Sequence, residues 1–346
     1  MKMKAVILAA GQSTRTYPLT LTRPKPLLKA GSKTLLEHNL DALLPFVDEV
    51  IIVVGYKKEM IQTHLGKKYK DCKITYVEQK EQKGTGHALL LTEEHIEDSF
   101  FLLMGDDVYT KDDMNKCNNH ELAILTKEIE DPSNFGVVVE KNHNLSHFVE
   151  KPKTFVSNLA NTAFYKLNKN IFPHLKNIEE SERGEIELPD ALLALSREHP
   201  IRVVKTKHWL PVGFPWDLLR VDKILRKKEN LIGENTVIEG EVTNSNIGNN
   251  CTIKGIVKNS IVMANSVVEA GSIVENSVLG ENVTFSGKAK SKANALSVVK
   301  GKQIKVGKIG AIIGDNVKAN NVKLKSGVKI WPNQEVKGEI KEDVAE

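Results

Sequence analysis

Apolar and polar positions alternate in two ways along the first two-thirds of the chain. Short apolar runs predict strands over "KAVILAA", "EVIIVVGY", "KITYVEQ" and "SFFLLMGDDVY". Apolar residues at helical spacing lie between them and predict helices over "LLEHNLDALLPF", "KEMIQTHLGKKY" and "GTGHALLLTEEHI". Thr34 to Glu37 has the form of a capping box before the first of these helices. This alternation favours a parallel sheet with helices on both faces, whose ligands bind beyond the carboxyl ends of the strands.

The hydrophobic pattern changes near Asn230, after which apolar residues recur mostly at steps of six. These residues are Ile232, Ile238, Ile247, Ile253, Ile261, Val267, Ile273, Leu279 and Phe285, followed by Val306, Ile312, Leu324, Ile330 and Val336. A step of six fits a short strand plus a turn, repeated, which is the hexapeptide repeat of a parallel β-helix. Lys318 breaks the step, and a set of unrelated short strands is the alternative.

The change of pattern predicts two domains, 1–229 and 230–346, and 346 residues are enough for two cores. The amphipathic stretch "DLLRVDKILRKKEN" predicts a helical connector at about 217–229. A Lys-rich segment at about 287–303 interrupts the hexapeptide pattern.

Composition excludes several classes of function. The chain has 40% hydrophobic and 27% charged residues, as soluble globular proteins do, and no apolar run approaches the roughly 18 residues of a membrane helix. The start "MKMKAVILAAG" lacks a long apolar region and a cleavage site, so it predicts a first strand rather than a signal peptide. The net charge of +5 comes with only 5% aromatic residues, which argues against a nucleic-acid partner. Three widely separated cysteines indicate reduced thiols and a cytoplasmic protein.

The loop after the first strand, within "LAAGQSTRTYPLTLTRPKPLL", contains two arginines, one lysine and three prolines but no acid. Gly11 allows close approach of the backbone to a ligand, and successive N–H groups there can bind an anion. Arg15 adds a fork of donors suited to phosphate, and Lys25, between two prolines, adds a point charge. The loop therefore predicts a polyanionic ligand such as a triphosphate. The alternative is a proline-rich surface loop with scattered charges.

Asp106 and Asp107 follow the strand "FFLLM" and supply the acid that the loop lacks. A carboxylate beside bound phosphates can hold Mg²⁺, which prefers oxygen ligands. The alternative is an aspartate that closes a turn. The spacing of the glycine loop matches neither the P-loop pattern nor the dinucleotide-binding pattern.

Together these segments resemble the sugar-1-phosphate nucleotidylyltransferases, whose first motif reads L-A-A-G-x-G-T-R-x-x-P-L-T-x-x-x-P-K-P-L. In this chain Ser13 replaces the second glycine of the motif. "EQKEQKGTGHAL", "VEKP", "NTAFY", "GEIELPDAL" and "VGFPWDLL" are similar to later motifs and follow in the family's order. The resemblance implies an α/β fold in which a Rossmann-like mixed sheet is followed by a left-handed parallel β-helix, as in the archaeal-type members.

The resemblance also implies a role for each residue that matches a motif. Arg15, Lys25 and Asp106 would be catalytic, and Asp106 would bind Mg²⁺. The nucleotide would be bound by Ala10, Gly11, Arg15, Gln79, Gly84, Thr85 and Gly105. The sugar phosphate would be bound by Gly136, Glu150, Asn161 and Asp190. The alternatives are a surface salt bridge with Lys151 for Glu150 and a turn cap for Asn161.

The implied reaction joins UTP or dTTP to glucose-1-phosphate or N-acetylglucosamine-1-phosphate and releases pyrophosphate. "GTGHA" is more typical of the N-acetylglucosamine-1-phosphate enzymes. By analogy with other β-helices of this type, the resemblance implies a homo-oligomer based on trimers.

The chain departs from the family pattern in two ways. Pro211 stands where relatives usually have an aspartate as second metal ligand. The alternatives are that Asp217 takes this role, that the metal keeps an extra water, or that catalysis is weak. Residues 209–346 contain no histidine, whereas bifunctional relatives use one for acetyl transfer in the β-helix, so that second activity is expected to be absent. The alternative function is a non-catalytic regulatory or assembly subunit with the same two domains.

Overall fold

A computed structural model of the chain describes residues 3–182 and 184–345. These residues form two units that are not continuous in sequence. Residues up to 12 and residues 35–211 form the first unit, and residues 13–34 and those from 212 onward form the second. The predicted domain boundary between residues 229 and 230 stays a prediction.

Helices and strands largely alternate up to residue 118, as the sequence predicts for the first part of the chain, and four strands then follow in succession between residues 123 and 167. In chain order the helices and strands up to residue 225 are β1 (Met3–Ala9), β2 (Lys29–Ala30), β3 (Lys33–Thr34), α1 (Leu35–Leu43), β4 (Val47–Val54), α2 (Lys58–Leu65), β5 (Lys68–Tyr69), β6 (Cys72–Glu78), α3 (Gly84–Leu90), β7 (Phe100–Met104), α4 (Lys111–Asn118), β8 (Ala123–Glu128), β9 (Gly136–Lys141), β10 (Asn144–Glu150), β11 (Leu159–Leu167), α5 (Ile171–Asn177), α6 (Leu188–Ser196), β12 (Arg202–Thr206) and α7 (Asp217–Leu225).

The first unit is built on one mixed sheet, which has ten strands in the part of the chain that the structure describes, in the order β5-β6-β4-β1-β7-β11-β8-β12-β10-β9. Strands β6, β4, β1 and β7 are parallel neighbours, and β11 is antiparallel to β7. Ala9 is paired with Val54, and Val54 with Glu78, so these parallel strands end at the same level. The carboxyl ends of the predicted strands therefore form one edge, and the Rossmann-like fold is confirmed.

Several predicted elements are shorter in the structure. The helix predicted over 58–69 ends at Leu65, because Gly66 adopts φ 64 and its N–H caps the carbonyl of Gln62. The chain then turns back as β5, antiparallel to β6. The strand predicted over 99–109 ends at Met104, where Gly105 begins a turn.

The second unit contains the predicted parallel β-helix. Its strands are β13 (Leu231–Ile232), β14 (Val237–Ile238), β15 (Glu241–Thr243), β16 (Asn246–Ile247), β17 (Thr252–Ile253), β18 (Ile256–Lys258), β19 (Ile261–Val262), β20 (Val267–Val268), β21 (Ile273–Glu275), β22 (Val278–Leu279), β23 (Thr284–Ala289), β24 (Leu296–Val299), β25 (Lys302–Lys305), β26 (Ile312–Ile313), β27 (Lys318–Leu324), β28 (Lys329–Ile330) and β29 (Glu335–Ile340).

Each coil of the β-helix stacks its apolar residues on those of the next coil. One face is the parallel series β13-β16-β19-β22-β26-β28. In that series Ile247 is paired with Val262 and Val262 with Leu279, and all three belong to one buried apolar core. The predicted six-residue repeat thus builds a continuous core from Ile247 onward. Ile232, Ile238 and Val306, which the sequence also places in the repeat, lie outside this core, and the first two are exposed.

The predicted register of the repeat is wrong by one residue at four positions. The core contains Val262, Val268, Val274 and Ile313, whereas the sequence predicts Ile261, Val267, Ile273 and Ile312. Lys318 is the position at which the six-residue step breaks in the sequence, and the residue after it, Ala319, faces the core. Because side chains alternate across a strand, the neighbour of an inward residue points away from the core.

Asparagines at positive φ form the turns between strands of the β-helix. Asn235, Asn250 and Asn265 have φ of 54°, 56° and 59°, a conformation that asparagine tolerates better than most residues. The Asn250 side-chain amide donates to Asn265 Oδ1 at 3.1 Å, so the turns are also hydrogen-bonded from coil to coil.

The Lys-rich interruption folds as an antiparallel hairpin of β24 and β25. The stack resumes after it, because Leu279 of the preceding coil is paired directly with Ile313. The interruption is therefore an insertion in one coil that leaves the core continuous.

Two predictions from composition concern membrane-spanning segments and the state of the cysteines. Over residues 3–182 and 184–345, no helix is both long and apolar enough to span a bilayer. Cys72, Cys117 and Cys251 are buried and unbridged.

Candidate active site

The carboxyl edge of the sheet brings three strand ends into close backbone contact in the first unit. The carbonyl of Ala10 accepts hydrogen bonds from the Tyr56 N–H and from Gln82 Nε2, both at 3.0 Å. Gly55 lies between Ala10 and Gln79, because a Cβ on Gly55 would be 2.8 Å from the Ala10 carbonyl oxygen and 3.1 Å from the Gln79 carbonyl oxygen. The predicted nucleotide-binding residues Ala10 and Gln79 therefore lie at one edge.

Gly11, Gly105 and Asp106 lie at the same edge. The Gly105 N–H donates to the Leu8 carbonyl at 2.9 Å, which holds the end of β7 against β1. A Cβ at Gly105 would be 3.1 Å from the Ile7 side chain, so the glycine allows this close approach. Apart from Gly11 itself and its two neighbours in the chain, no described atom lies within 4 Å of a Cβ placed at Gly11, which leaves space beside its backbone.

The two neighbouring aspartates have different environments. Asp107 Oδ2 accepts a hydrogen bond from Trp209 Nε1 at 2.9 Å, and the Asp107 carbonyl accepts one from Asn39 Nδ2 at 2.7 Å. Trp209 is buried, so Asp107 has a structural role. The sequence reasoning missed Trp209 and Asn39, since both lie far from Asp107 in the chain. Asp106 is half-buried and remains the candidate metal ligand.

The donor set at this edge fits a cation shared with a substrate better than a cation held by protein alone. Among the residues that the structure describes, no group of three or more His, Cys, Asp or Glu side chains could hold a metal ion. Mg²⁺ is commonly held by one or two carboxylates together with substrate phosphates, and Asp106 can supply one carboxylate. Val108 and Leu210 form an antiparallel bridge, so Pro211 follows beside Asp107 without adding a carboxylate.

The predicted base-recognition residues form a compact group. Gln79 is buried, and its Nε2 lies 3.1 Å from the Gly84 carbonyl oxygen and 3.1 Å from His87 Nδ1. Thr85 follows Gly84 in the first turn of α3 and is half-buried. The role of this turn in binding the base was predicted only from the resemblance to the family.

The turn at Gly84 packs against a second motif, "GEIELPDAL". Gly84 has φ 89, and a Cβ on it would be 2.7 Å from the Ile186 carbonyl oxygen. The same carbonyl accepts a hydrogen bond from the Gly86 N–H at 2.9 Å. The glycines of "GTG" thus permit contact between two motifs that lie far apart in sequence.

Gly136 and Glu150 are opposite each other in the β9–β10 pair. A Cβ at Gly136 would be 2.5 Å from the Phe148 ring and 2.9 Å from Glu150 Oε2, so a larger residue there would displace these two side chains. Glu150 pairs with Lys151 at 2.9 Å, and both side chains are about half exposed. This is the surface pairing considered as the alternative for Glu150, and such a pair contributes little stability.

Asn161 lies on β11, near the same end of the sheet as Gly136, because Ala160 is paired with Val137. Its Nδ2 donates to the Tyr165 hydroxyl at 2.7 Å, and its Oδ1 accepts from the Ala163 N–H at 3.0 Å. The second bond is a turn-like contact of the kind considered as the alternative role of Asn161.

Asp190 lies on a different element, in the first turn of α6. Burial, followed by the nearby Glu187, raises the pKa of its carboxyl above the usual range. The structure thus groups Gly136, Glu150 and Asn161 on the sheet, and it places Asp190 on a helix.

In the second unit, the cationic loop is stiffened by threonine side chains as well as by proline. Ser13 stands where the family motif has glycine and adopts φ 54, which explains why glycine suits this position. The Ser13 carbonyl accepts hydrogen bonds from Thr16 Oγ1 at 2.7 Å and from Thr20 Oγ1 at 3.0 Å. The Arg15 guanidinium lies 5.9 Å from the centre of the Phe214 ring.

Lys25 is 6% exposed and lies in a short 3₁₀ turn, Lys25–Leu27. Asp217 Oδ2 accepts hydrogen bonds from the Gly213 and Phe214 N–H groups at 2.9 and 2.8 Å. Burial raises the pKa of the Asp217 carboxyl, against the opposing effects of these donors and of Lys25. Asp217 thus shapes the turn before α7, and its role as second metal ligand stays a proposal.

The third cation of the loop, Arg23, is committed to the β-helix. Its guanidinium donates to Glu281 at 2.7 Å and also to Asp315. Thr22 Oγ1 donates to the same Asp315 carboxylate at 2.7 Å. The loop is therefore less cationic than its sequence indicates.

We expect Arg23→Ala to lower the free energy of unfolding by about 3 kcal/mol, because it removes the cationic partner of the buried Asp315 carboxylate and of Glu281. Arg23→Lys should lose less, since the charge remains and only the fork of donors is lost. Guanidinium-induced unfolding of the two variants measures the difference. Equal stability of Arg23→Ala and the unaltered protein would show that these ion pairs are not stabilising.

Comparison with known proteins agrees with this architecture. A family model described as nucleotidyl transferase matches residues 4–228. The chain is 35% identical to the bifunctional protein GlmU of Methanococcus aeolicus, over 96% of this chain and 92% of the relative. It is also 35% identical to the UTP–glucose-1-phosphate uridylyltransferase AglF of Haloferax volcanii, over 65% of this chain and 98% of that protein.

Solved structures agree as well. A UDP-glucose pyrophosphorylase complexed with UDP-glucose is similar with a TM-score of 0.60 and 25% identity, over 66% of this chain and 100% of that one. The chain therefore belongs to the nucleotidyl transferase family and is a sugar-1-phosphate nucleotidyltransferase.

Proposed function

We propose that this enzyme joins UTP, or alternatively dTTP, to N-acetylglucosamine-1-phosphate or glucose-1-phosphate. Enzymes of the family act on a nucleoside triphosphate and a sugar-1-phosphate, generally with a divalent metal. The observation that supports uracil or thymine over cytosine is the Gln79 amide, whose nitrogen donates to the Gly84 carbonyl. Its oxygen then serves as the acceptor for the N3–H of uracil or thymine. The name of AglF supports UTP and glucose-1-phosphate. N-acetylglucosamine-1-phosphate is proposed from the sequence "GTGHA".

The reaction is a direct displacement. A phosphate oxygen of the sugar-1-phosphate forms a bond to the α-phosphorus, and the bond from that phosphorus to the bridging oxygen of pyrophosphate breaks. No side-chain nucleophile is required, so positioning and charge neutralisation supply the rate. Arg15 and Lys25 neutralise phosphate charge, and the backbone at Ala10 and Gly11 binds the triphosphate.

Asp106 is the proposed ligand of Mg²⁺, with Asp217 as a second candidate. When bound, the metal would polarise phosphoryl oxygens and neutralise their charge. Gly105 brings its backbone next to the nucleotide. Gly136, Glu150, Asn161 and Asp190 are proposed to bind the sugar phosphate, and the homo-oligomer based on trimers stays a prediction of the sequence.

A pyrophosphate-release assay tests the proposed function. UTP, dTTP, CTP and GTP are each combined with the two sugar-1-phosphates, with and without Mg²⁺. We expect turnover with UTP or dTTP that depends on Mg²⁺. Equal turnover with GTP would contradict the pyrimidine assignment, and saturable nucleotide binding without turnover would favour the non-catalytic alternative.

We further propose that the β-helix has no acetyltransferase activity. Residues 209–346 contain no histidine to act as general base. The alignment with the Methanococcus aeolicus relative spans 382 positions, more than the 346 residues of this chain, so that bifunctional relative contains segments that this chain lacks.

We expect no transfer of an acetyl group from acetyl-CoA to glucosamine-1-phosphate. Release of free thiol from acetyl-CoA measures the reaction, and pyrophosphate release by the same preparation shows that the enzyme is folded. Thiol release that depends on glucosamine-1-phosphate would overturn the proposal.

A further inference from the structure

His87 lies one helical turn beyond Gly84 and contacts the amide of Gln79. Gln79 Nε2 is 3.1 Å from the Gly84 carbonyl oxygen and 3.1 Å from His87 Nδ1. A carbonyl oxygen can only accept a hydrogen bond, so the atom that faces Gly84 must be the amide nitrogen. The first contact therefore shows that Nε2 of Gln79, and not Oε1, faces the Gly84 carbonyl.

The second contact then fixes the state of the imidazole. An amide nitrogen has two N–H donors and no acceptor. One donor is directed to the Gly84 carbonyl and the other to His87 Nδ1, so Nδ1 must carry a lone pair and the ring proton lies on Nε2. His87 is thus an acceptor that holds the second N–H of Gln79.

This arrangement determines what Gln79 can offer to a base. With both N–H groups occupied, the other terminal atom, Oε1, is an acceptor. Uracil and thymine present a donor at N3, whereas cytosine presents an acceptor there, which would face Oε1 without a hydrogen bond. Gln79 is 5% exposed, so water cannot replace the two bonds that would be lost if the amide turned over.

We propose that His87 is a positioning residue that fixes the amide of Gln79 and so makes the enzyme prefer uracil or thymine over cytosine. The inference rests on the proposed function, in which Gln79 contacts the base. His87 itself does not touch the nucleotide in this proposal, and it acts only through the orientation of Gln79.

The test compares kcat/KM for UTP and for CTP in three variants. His87→Phe keeps a ring but removes the acceptor, and we expect the UTP to CTP ratio to fall about tenfold, chiefly through a higher KM for UTP, as for the loss of one buried hydrogen bond. His87→Asn places an amide oxygen near the position of Nδ1 and should restore most of the ratio. Loss of folded protein would lower both rates together, so the ratio separates positioning from stability.

Gln79→Ala distinguishes failure of this inference from failure of the proposed function. An unchanged UTP to CTP ratio in Gln79→Ala would show that Gln79 does not contact the base, which overturns the base assignment. A reduced ratio in Gln79→Ala with an unchanged ratio in His87→Phe would overturn only the role of His87. If His87→Phe does not fold, His87→Leu provides the same comparison with a smaller side chain.

Discussion

Asp106→Ala is expected to lower kcat for pyrophosphate release by about 10²-fold or more, the usual effect of removing one preorganised electrostatic group. Asp106 follows Gly105, whose backbone is bonded to the end of β1 at the carboxyl edge of the sheet. Pro211, beside Asp107, offers no carboxylate in compensation. The Mg²⁺ concentration that gives half of the maximal rate should therefore be higher in this variant, in addition to the loss of rate.

The neighbouring aspartate is the matched control. Asp107→Asn keeps an oxygen that can accept the bond from Trp209 Nε1 and removes the same charge one residue away. We expect its kcat to stay within a few-fold of the unaltered enzyme. Initial rates over a range of Mg²⁺ concentrations measure both variants. Near-normal activity of Asp106→Ala, or a larger loss in Asp107→Asn, would show that the metal ligand is misassigned.

Lys25→Ala is the second substitution with a large expected effect, and we again expect a loss of about 10²-fold or more in kcat. Lys25 is 6% exposed and its turn is fixed by flanking prolines, so its ammonium is already positioned before a ligand binds. The loss should appear in kcat more than in KM, because charge on the phosphates grows as the bond to pyrophosphate breaks.

Lys25→Met separates charge from packing in this test. Methionine fills much of the same volume without the ammonium, so it should be as inactive as alanine while leaving thermal unfolding nearly unchanged. Lys29→Ala, at an exposed position of the same segment, is the control and should keep its rate. Substantial activity in Lys25→Met would show that the ammonium is not required.

Much of the first unit can be predicted from sequence because its strands are short apolar runs. β7 lies within its predicted strand, and β1, β4 and β6 overlap theirs but begin one or two residues earlier. The parallel order brings Gly11, Gln79 and Asp106 to one edge. Helix ends were less predictable, since Gly66 ends α2 by a backbone conformation that apolar spacing does not reveal.

The register of the β-helix shows a limit of periodicity. At "IV", "VV" and "IV" two adjacent residues are both apolar, so a six-residue step can be counted from either member of the pair. The structure selects Val262, Val268 and Val274 as the inward residues. Strand pairing with neighbouring coils decides the register, and that information is not local to the sequence.

Sequence motifs predict candidate site residues when one motif supplies them. They do not predict contacts between segments that are far apart in the sequence. Trp209 holds Asp107, and the Ile186 carbonyl supports the turn at Gly84, yet neither contact follows from the local pattern. Arg23 is the clearest case, because the acidic partners that neutralise it lie in the β-helix. A charge in a loop therefore cannot be assigned to a ligand from sequence alone.

The attachment of Arg23 and Thr22 to Asp315 has a consequence for protein engineering. AglF of Haloferax volcanii matches only 65% of this chain, which invites removal of everything after residue 229 to obtain a minimal catalyst. In this protein such a truncation would discard Glu281 and Asp315, so the segment that carries Arg15 and Lys25 would lose its acidic anchors. A shortened enzyme would need a redesigned residue 23, and the β-helix is better regarded as a scaffold for that segment than as a removable appendage.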